Sequence, residues 1–131
     1  MSQENVEIVR AAIDALNAGD WESVLSYAGA NFEFDLTRAV GPQRGVYGFE
    51  QTPQVLSELR EGFESLHTEP HEFIEVREHV VVPLTAHMVG RDGIEVQART
   101  TWTWTFRDGA VERVCLYQER DEALKAAGLE E

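Results

Sequence analysis

The sequence has very little cysteine, few basic residues and no long apolar run. Cys115 is the only cysteine among 131 residues, so an intramolecular disulfide is excluded and a zinc site built on cysteine pairs is not expected. The 11 basic residues stand against 24 acidic ones, and the net charge of −13 disfavours binding to nucleic acid or to anionic membranes. No segment approaches the roughly 18 apolar residues that cross a membrane, and the N-terminal stretch has no apolar signal core. We expect a soluble cytoplasmic protein that binds neither nucleic acid nor membranes.

The residues that are present predict a single α+β domain over residues 1–131. With 43% hydrophobic residues, a chain of this length can bury one core. Apolar periodicity and the positions of glycine, proline and capping residues predict the order of the elements. They are a helix ending near Asn17, a short helix after Asp20, a strand over 31–36, a lid-like loop over 37–49, a helix from Thr52 that carries apolar positions as far as Leu66, a strand over 69–76, a meander over 80–119 and a helix over 121–127. Helices segregated onto one face of a sheet are typical of the α+β class.

The meander over 80–119 organises the rest of the chain. It contains two Asp-Gly pairs, at 92–93 and 108–109, each between segments rich in strand-forming residues. Asp-Gly is typical of a two-residue type I′ hairpin turn, which needs positive φ at both central positions. Counting outward from two such turns predicts which residues lie side by side across the three strands. The predicted rows are His87, Ala98 and Glu119; Thr85, Thr100 and Tyr117; and Pro83, Trp102 and Cys115.

The same register divides the meander into two faces, because successive strand side chains point to opposite sides. One face carries these rows together with Trp104 and Phe106, and we expect it to line a pocket. The other face is flat and aliphatic, with Leu84, Ala86, Met88, Val114 and Leu116 among its residues. Left uncovered, it would expose a continuous apolar patch, so we expect it to meet a partner subunit in a homodimer.

Several segments together resemble the SnoaL-like branch of the NTF2-like superfamily. They are the two N-terminal helices, the strand over 31–35, Val46-Tyr47-Gly48 before a helix, the run from Trp104 to Gly109, and the ending from Tyr117 through Ala123-Leu124 to Gly128-Leu129. The resemblance implies a cone-shaped, curved, mixed but mostly antiparallel sheet packed against three helices around a deep apolar pocket, usually in a homodimer. Members include ketosteroid isomerases, polyketide cyclases, limonene epoxide hydrolases and scytalone dehydratase, and also proteins without known activity. These motifs specify the fold rather than a reaction.

Three residues are candidates for acid–base catalysis. Asp35 follows Phe34 and precedes the lid-like loop, and the resemblance to the isomerases implies an aspartate base near this part of the fold. An apolar pocket would raise its pKa; alternatively, Asp35 faces solvent or caps the loop. His87 lies in a strand of apolar and threonine residues and forms a predicted pair with Glu119, unless it is a hydrogen-bonded core histidine. Tyr117 would donate to a substrate oxygen, as tyrosines do in this superfamily, or form a pocket wall.

The expected binding residues are mostly aromatic. Trp102, Trp104 and Phe34 offer flat apolar surface to a small hydrophobic ligand, with Thr100 and Glu119 beside them in the predicted rows. Four scattered histidines do not match a metal-ligand spacing, so we expect no metal and no cofactor.

Three functions agree with this pattern. The first is a cofactor-independent acid–base enzyme of the isomerase, cyclase or dehydratase type that acts on a small hydrophobic molecule. The second is a non-catalytic protein that binds such a molecule, for which aromatic walls suffice. The third is a dimerisation module, which a pocket filled by its own side chains would favour.

Overall fold

The computed structural model describes residues 2–39 and 43–128. Within them the helices are α1 (Ser2–Ala18), α2 (Trp21–Leu25), α3 (Thr52–Glu61) and α4 (Arg120–Ala126). The strands are β1 (Ala28–Asp35), β2 (Val46–Gly48), β3 (Ser65–Pro70), β4 (Ile74–Val76), β5 (His79–Val89), β6 (Glu95–Arg107) and β7 (Ala110–Tyr117). No helix in these two ranges is both long and apolar enough to cross a membrane.

The strands form one curved, mixed sheet in the order β2-β1-β7-β6-β5-β3, with β4 also paired to β5. Only the β1–β7 pair is parallel among these pairings, and the others are antiparallel. The predicted α+β class with a mostly antiparallel sheet is therefore confirmed.

Two apolar layers cover the two faces of the sheet. On the inner face, helices α1, α2 and α3 pack against the main core, to which α1 contributes Val9 and Ile13 at helical spacing. On the outer face, Ala123 of α4 and its C-cap residue Ala127 pack against Val81, Cys115 and Tyr117. Both faces of the central strands are thus buried at least in part, which explains the short apolar runs at 80–82 in β5 and 114–117 in β7.

The first hairpin differs from the predicted one by a single residue. Gly90 donates its backbone N–H to the carbonyl oxygen of Ile94 at 2.8 Å, so the loop has three residues, with Gly93 at φ 88°. A loop of this length with a glycine in the left-handed region is the next most common hairpin after the two-residue turns. The two-residue turn predicted at 92–93 is therefore wrong. In consequence, His87 lies opposite Gln97, not Ala98.

The second hairpin has the predicted turn, but a bulge follows it. Asp108 and Gly109 both have positive φ, 53° and 82°, which is the type I′ geometry. The register then shifts beyond Phe106, so that farther along the strands Thr101 lies opposite Tyr117. A bulge adds one residue to one strand, and a shift of one residue moves every later side chain to the other face.

These two shifts reassign the faces of β5 and β7. Leu84, Ala86, Met88 and Leu116 lie on the inner face with Trp102, toward the helices. The aliphatic surface that was expected to meet a partner subunit therefore faces the interior of this chain, and that assignment is wrong. The homodimer itself stays a prediction, without the surface on which it was based.

The segment predicted as a loop over 37–49 contains strand β2, which pairs with β1. The middle of the predicted lid, residues 40–42, lies outside the described residues. Helix α3 ends at Glu61, so Phe63 and Leu66 are not helical, and Leu66 belongs to β3. The single strand predicted over 69–76 is two short strands, β3 and β4. Strand β7 ends at Tyr117, and Glu119 is the N-cap residue of α4 instead of a strand residue.

Candidate functional site

A cavity of about 320 Å³ lies between the inner face of the sheet and the helices. This volume is at the lower end of the range for small-molecule sites, roughly 300–1,000 Å³. Its described lining is mainly aliphatic and aromatic, and includes Leu16, Trp21, Phe34, Leu36, Ala39, Leu56, Leu59, Phe63, Leu66, Leu84, Ala86, Met88, Ala98, Trp102 and Leu116. The polar members are Asn17, Gln43, Arg60, Thr68, Thr100 and Gln118.

Two small side chains help to make room for the cavity. Ala86 and Ala98 lie directly opposite each other on β5 and β6, and both line it. Larger neighbours along the same strands, such as Leu84 and Trp102, form its walls. A bulky side chain at either alanine would project into the cavity, which makes this pair the natural place to block it.

Several hydrogen-bonding side chains in the lining already have partners within the protein. Asn17 donates from Nδ2 to the carbonyl oxygen of Thr68 and accepts from the Thr68 N–H, both at 2.8 Å, so it ties the end of α1 to β3. The indole of Trp21 donates to Ser57 Oγ at 3.0 Å. Gln118 donates to the carbonyl oxygen of Arg38 at 2.7 Å. These side chains shape the cavity, but the atoms that form these hydrogen bonds are not free to bind a ligand.

Arg60 is the one charged residue among the described residues that line the cavity. Its Nη1 atom donates to the carbonyl oxygens of Asn17 at 3.1 Å and of Leu16 at 3.5 Å, at the C-terminal end of α1. A cation at this position is favoured by the helix dipole. Arg60 was not among the residues expected from the sequence. The only feature of the local sequence that points to Arg60 as a site residue is its place in the last turn of helix α3.

Three of the predicted binding residues line the cavity: Phe34, Thr100 and Trp102. The rings of Phe34 and Trp102 are tilted against each other with centroids 5.9 Å apart. Trp104 is instead a core residue, 3% exposed, beside a separate space of about 20 Å³. The indole nitrogens of Trp102 and Trp104 are buried and have no hydrogen-bond partner in the described part of the chain.

Asp35 lies on the outer face, away from the cavity. It is 3% exposed and accepts hydrogen bonds from the backbone N–H and the hydroxyl of Thr37, at 2.9 and 2.7 Å. The guanidinium of Arg113 donates to its other oxygen. Burial opposes its ionisation, but the Thr37 hydrogen bonds and the Arg113 charge outweigh burial and hold the pKa of the Asp35 carboxyl below its ordinary value. The interpretation with Asp35 in an apolar pocket and a raised pKa is therefore wrong. The hydrogen bonds from Thr37 agree with the alternative, in which Asp35 caps the loop that follows.

His87 also lies on the outer face, toward the edge strand β3. Its Nε2 atom is 2.7 Å from Glu69 Oε1, and its ring lies 6.4 Å from that of His67. The hydrogen bond from His87 is the main cause that lowers the pKa of Glu69. The pairing of His87 with Glu119 is wrong, since Glu119 is an exposed residue at the start of α4.

Tyr117 is buried on the outer face beneath α4, beside Cys115. Burial raises its pKa to about 12, and the hydrogen bond with Cys115 acts in the same direction. The guanidinium of Arg38 covers its ring at 4.6 Å from the centroid. Its hydroxyl is therefore neutral at physiological pH and is held within a packed layer on the far side of the sheet from the cavity.

The arrangement suits binding better than proton transfer. Among the cavity-lining residues that the structure describes there is no aspartate, glutamate, histidine, tyrosine or cysteine. Within the ranges 2–39 and 43–128, no group of three or more histidine, cysteine, aspartate or glutamate side chains is placed to hold a metal ion. The chemistry available at the cavity is apolar contact, aromatic packing and hydrogen bonding from Arg60, Thr100 and Gln43.

A model of the SnoaL-like domain matches residues 9–114 of the chain. This is well over half of the sequence, so the chain belongs to the SnoaL-like domain family. The resemblance to the SnoaL-like branch of the NTF2-like superfamily is confirmed.

Solved structures with the same fold cover nearly the whole chain. TerC, co-crystallised with polyporic acid, has a TM-score of 0.80 and 22% identity over 96% of this chain and 99% of that one. An NTF2-like protein of unknown function from Burkholderia pseudomallei has a TM-score of 0.78 and 18% identity over 96% and 98%. A putative polyketide cyclase from Xanthomonas campestris pv. campestris has a TM-score of 0.72 and 19% identity over 97% and 98%. At these identities the likeness establishes the fold. A search of curated proteins gave no significant match.

Proposed function

We propose that this protein binds a small, largely apolar molecule in the cavity between the inner face of the sheet and α1, α2 and α3. The observation that carries the proposal is the cavity itself, about 320 Å³ in volume, with a lining dominated by aliphatic and aromatic side chains. Apolar walls with a few placed polar groups are typical of small-molecule sites. A cavity of this size also argues against a module whose pocket is filled by its own side chains.

The descriptions of two structural relatives agree with a small-molecule site. TerC was co-crystallised with polyporic acid, and the relative from Xanthomonas campestris is a putative polyketide cyclase. No reaction can be assigned to this chain from either description, because both relatives are less than 25% identical to it.

Acid–base catalysis stays a prediction that the geometry does not support. Asp35, His87 and Tyr117 all lie on the outer face, so the sheet separates them from a molecule held in the cavity. A binding role needs none of them. Substituting any of the three should therefore leave ligand affinity unchanged, provided that the fold is intact.

The proposal is tested by blocking the cavity. The probe is 2-naphthamide, a neutral bicyclic molecule, and its affinity is measured by isothermal titration calorimetry. At roughly 0.4 kcal/mol per non-hydrogen atom, it would bind the wild-type protein with a Kd of about 0.2 mM. Ala98→Phe places a ring in the cavity and should weaken binding by about tenfold or more.

Ala126→Phe is the matched control, since Ala126 is exposed on α4, on the other side of the sheet. It makes the same change of residue without entering the cavity and should leave the Kd unchanged. Equal affinities for the wild-type protein and for a folded Ala98→Phe variant would contradict the proposal, and so would the absence of any binding to the wild-type protein.

A further inference from the structure

Arg60 stands at a boundary between the apolar interior and solvent. Together with Trp21 and Phe63 it lines both the cavity and an adjoining surface cleft at the end of α3. It is partly buried, whereas Glu61 and Glu64 line the cleft but not the cavity. A ligand whose apolar body fills the cavity would therefore meet the Arg60 guanidinium where it approaches the cleft. Arg91 also lines the cleft but not the cavity, and its Nε and Nη2 atoms donate to the carbonyl oxygen of Glu61.

Arg60 has no acidic partner among the described residues, in a chain with 24 acidic side chains. Arg38, Arg107, Arg113 and Arg120 each form an ion pair. Arg10, Arg91 and Arg99 form none among the described residues, but they do not line the cavity. The hydrogen bonds of Arg60 run from Nη1 to two backbone carbonyl oxygens. A guanidinium carries five N–H donors, so those on Nε and Nη2 are left without a partner in the part of the chain that the structure describes.

The carbonyl contacts alone would make Arg60 a cap for the C-terminal end of α1. That role uses one nitrogen of the guanidinium, whereas a carboxylate is bound by two parallel N–H donors of the same plane. An ionised group that enters an apolar cavity needs a charged, hydrogen-bonding partner, because its desolvation is otherwise costly. Arg60 is the one described residue of the lining that can meet this need.

We propose that the ligand carries a single carboxylate, and that Arg60 binds this group while the apolar body occupies the cavity. This inference rests on the function proposed above, since it names the chemistry of the molecule held in the same cavity. It makes Arg60 the residue that selects acidic ligands over neutral ones of the same shape.

The test compares 2-naphthoate with 2-naphthamide, which have the same ring system and differ in charge. Wild-type protein should bind 2-naphthoate about tenfold more tightly at neutral pH, since hydrogen bonds to charged groups are worth more than neutral ones. Arg60→Gln should weaken binding of 2-naphthoate by roughly tenfold or more and that of 2-naphthamide by less than about twofold. Arg99→Gln is the control for the lost positive charge, since Arg99 is exposed and its side chain is on the outer face. It should change neither affinity.

The outcomes separate this inference from the proposed function. If 2-naphthamide binds as tightly as 2-naphthoate, or if Arg60→Gln weakens both probes equally, the inference is overturned and the binding function stands. If neither probe binds the wild-type protein, both fail. If Arg60→Gln does not fold, Arg60→Lys replaces it, because lysine keeps the charge but cannot form the paired N–H contacts. A several-fold loss for 2-naphthoate alone supports the inference, and an equal change for both probes overturns it.

Discussion

Replacing Asp35 with asparagine tests whether this residue holds the fold together instead of acting on a ligand. The side chain is almost fully buried and accepts hydrogen bonds from Thr37 and Arg113. Asparagine keeps nearly the same shape and retains an oxygen for the Thr37 N–H, but it removes the charge that faces Arg113. We expect Asp35→Asn to be less stable than the wild-type protein and to bind 2-naphthamide with the same affinity.

The size of the loss follows from the exposure of the two partners. Removing one member of a fully buried ion pair costs about 3–5 kcal/mol, but the Arg113 side chain is 44% exposed and can recover hydration. We therefore expect a loss of about 2 kcal/mol, close to the value for a hydrogen bond to a charged group. With an unfolding entropy of about 2.1 cal/mol/K per residue over 131 residues, this lowers the Tm by about 7 °C at neutral pH. Differential scanning calorimetry measures it directly.

The pH dependence of the Tm difference between the wild-type protein and Asp35→Asn shows whether the lost carboxylate charge causes it. The pKa of Asp35 is lower in the folded chain than in the unfolded one, so the carboxylate stabilises the fold above the unfolded pKa of about 3.9. That contribution is lost as the pH falls through the folded value. The Tm difference between the wild-type protein and Asp35→Asn should therefore shrink below about pH 4.

Glu33→Gln is the control, because Glu33 is exposed and its nearest oxygen lies 3.9 Å from Arg113 Nε. It removes a carboxylate from the same strand and should lower the Tm very little. A structural role for the Asp35 charge would be ruled out if Asp35→Asn were as stable as the wild-type protein at neutral pH, or if it were equally destabilised in strong acid.

Two further substitutions test the outer face and the second hairpin. His87→Ala breaks a hydrogen bond with Glu69 in which the two side chains are 36% and 53% exposed, so the Tm should change little and the Kd for 2-naphthamide should not change. A large loss of affinity on titration with this probe would contradict the placement of His87. Gly109→Ala puts a side chain at φ 82° in the type I′ turn and should cost about 1 kcal/mol, or about 4 °C in Tm. Gly62 has a φ of −69°, and a Cβ added there would make only ordinary van der Waals contacts, so Gly62→Ala should be neutral or slightly stabilising. Equal losses of Tm at the two glycines would contradict the turn assignment.

The class of fold could be predicted because its signals are local. Helical periodicity in α1, a capping aspartate before α2 and the Asp108-Gly109 turn are each contained within a short segment, and each was found where expected. The pairing of strands could not be predicted to the residue. One loop was a residue longer than expected and one bulge added a residue, and neither has a distinct signature in the sequence. Each changed the face of every residue beyond it.

The predicted site residues that do line the cavity are on strands whose faces did not change with the register shifts. Phe34, Thr100 and Trp102 line the cavity. The pocket face of β6 was predicted, whereas alternation in β1 puts Phe34 and Asp35 on opposite sides without showing which of them faces the pocket. His87 and Tyr117 lie on β5 and β7, and the shifted registers carry them to the outer face. Arg60 was missed for another reason. An arginine at the end of an amphipathic helix is usually a solvated residue, and only tertiary packing turns this one toward the cavity.

The most direct test of the binding site is a methyl NMR titration of the wild-type protein with 2-naphthoate. If the ligand binds in the cavity, we expect shifts for methyl groups that line it on the inner face, such as those of Leu84, Met88 and Leu116. Methyl groups of the outer layer, such as those of Val81 and Ala123, should stay unchanged. Shifts confined to the outer layer around Tyr117, with none in the cavity, would contradict binding in the cavity and would favour a site at Asp35 and Tyr117.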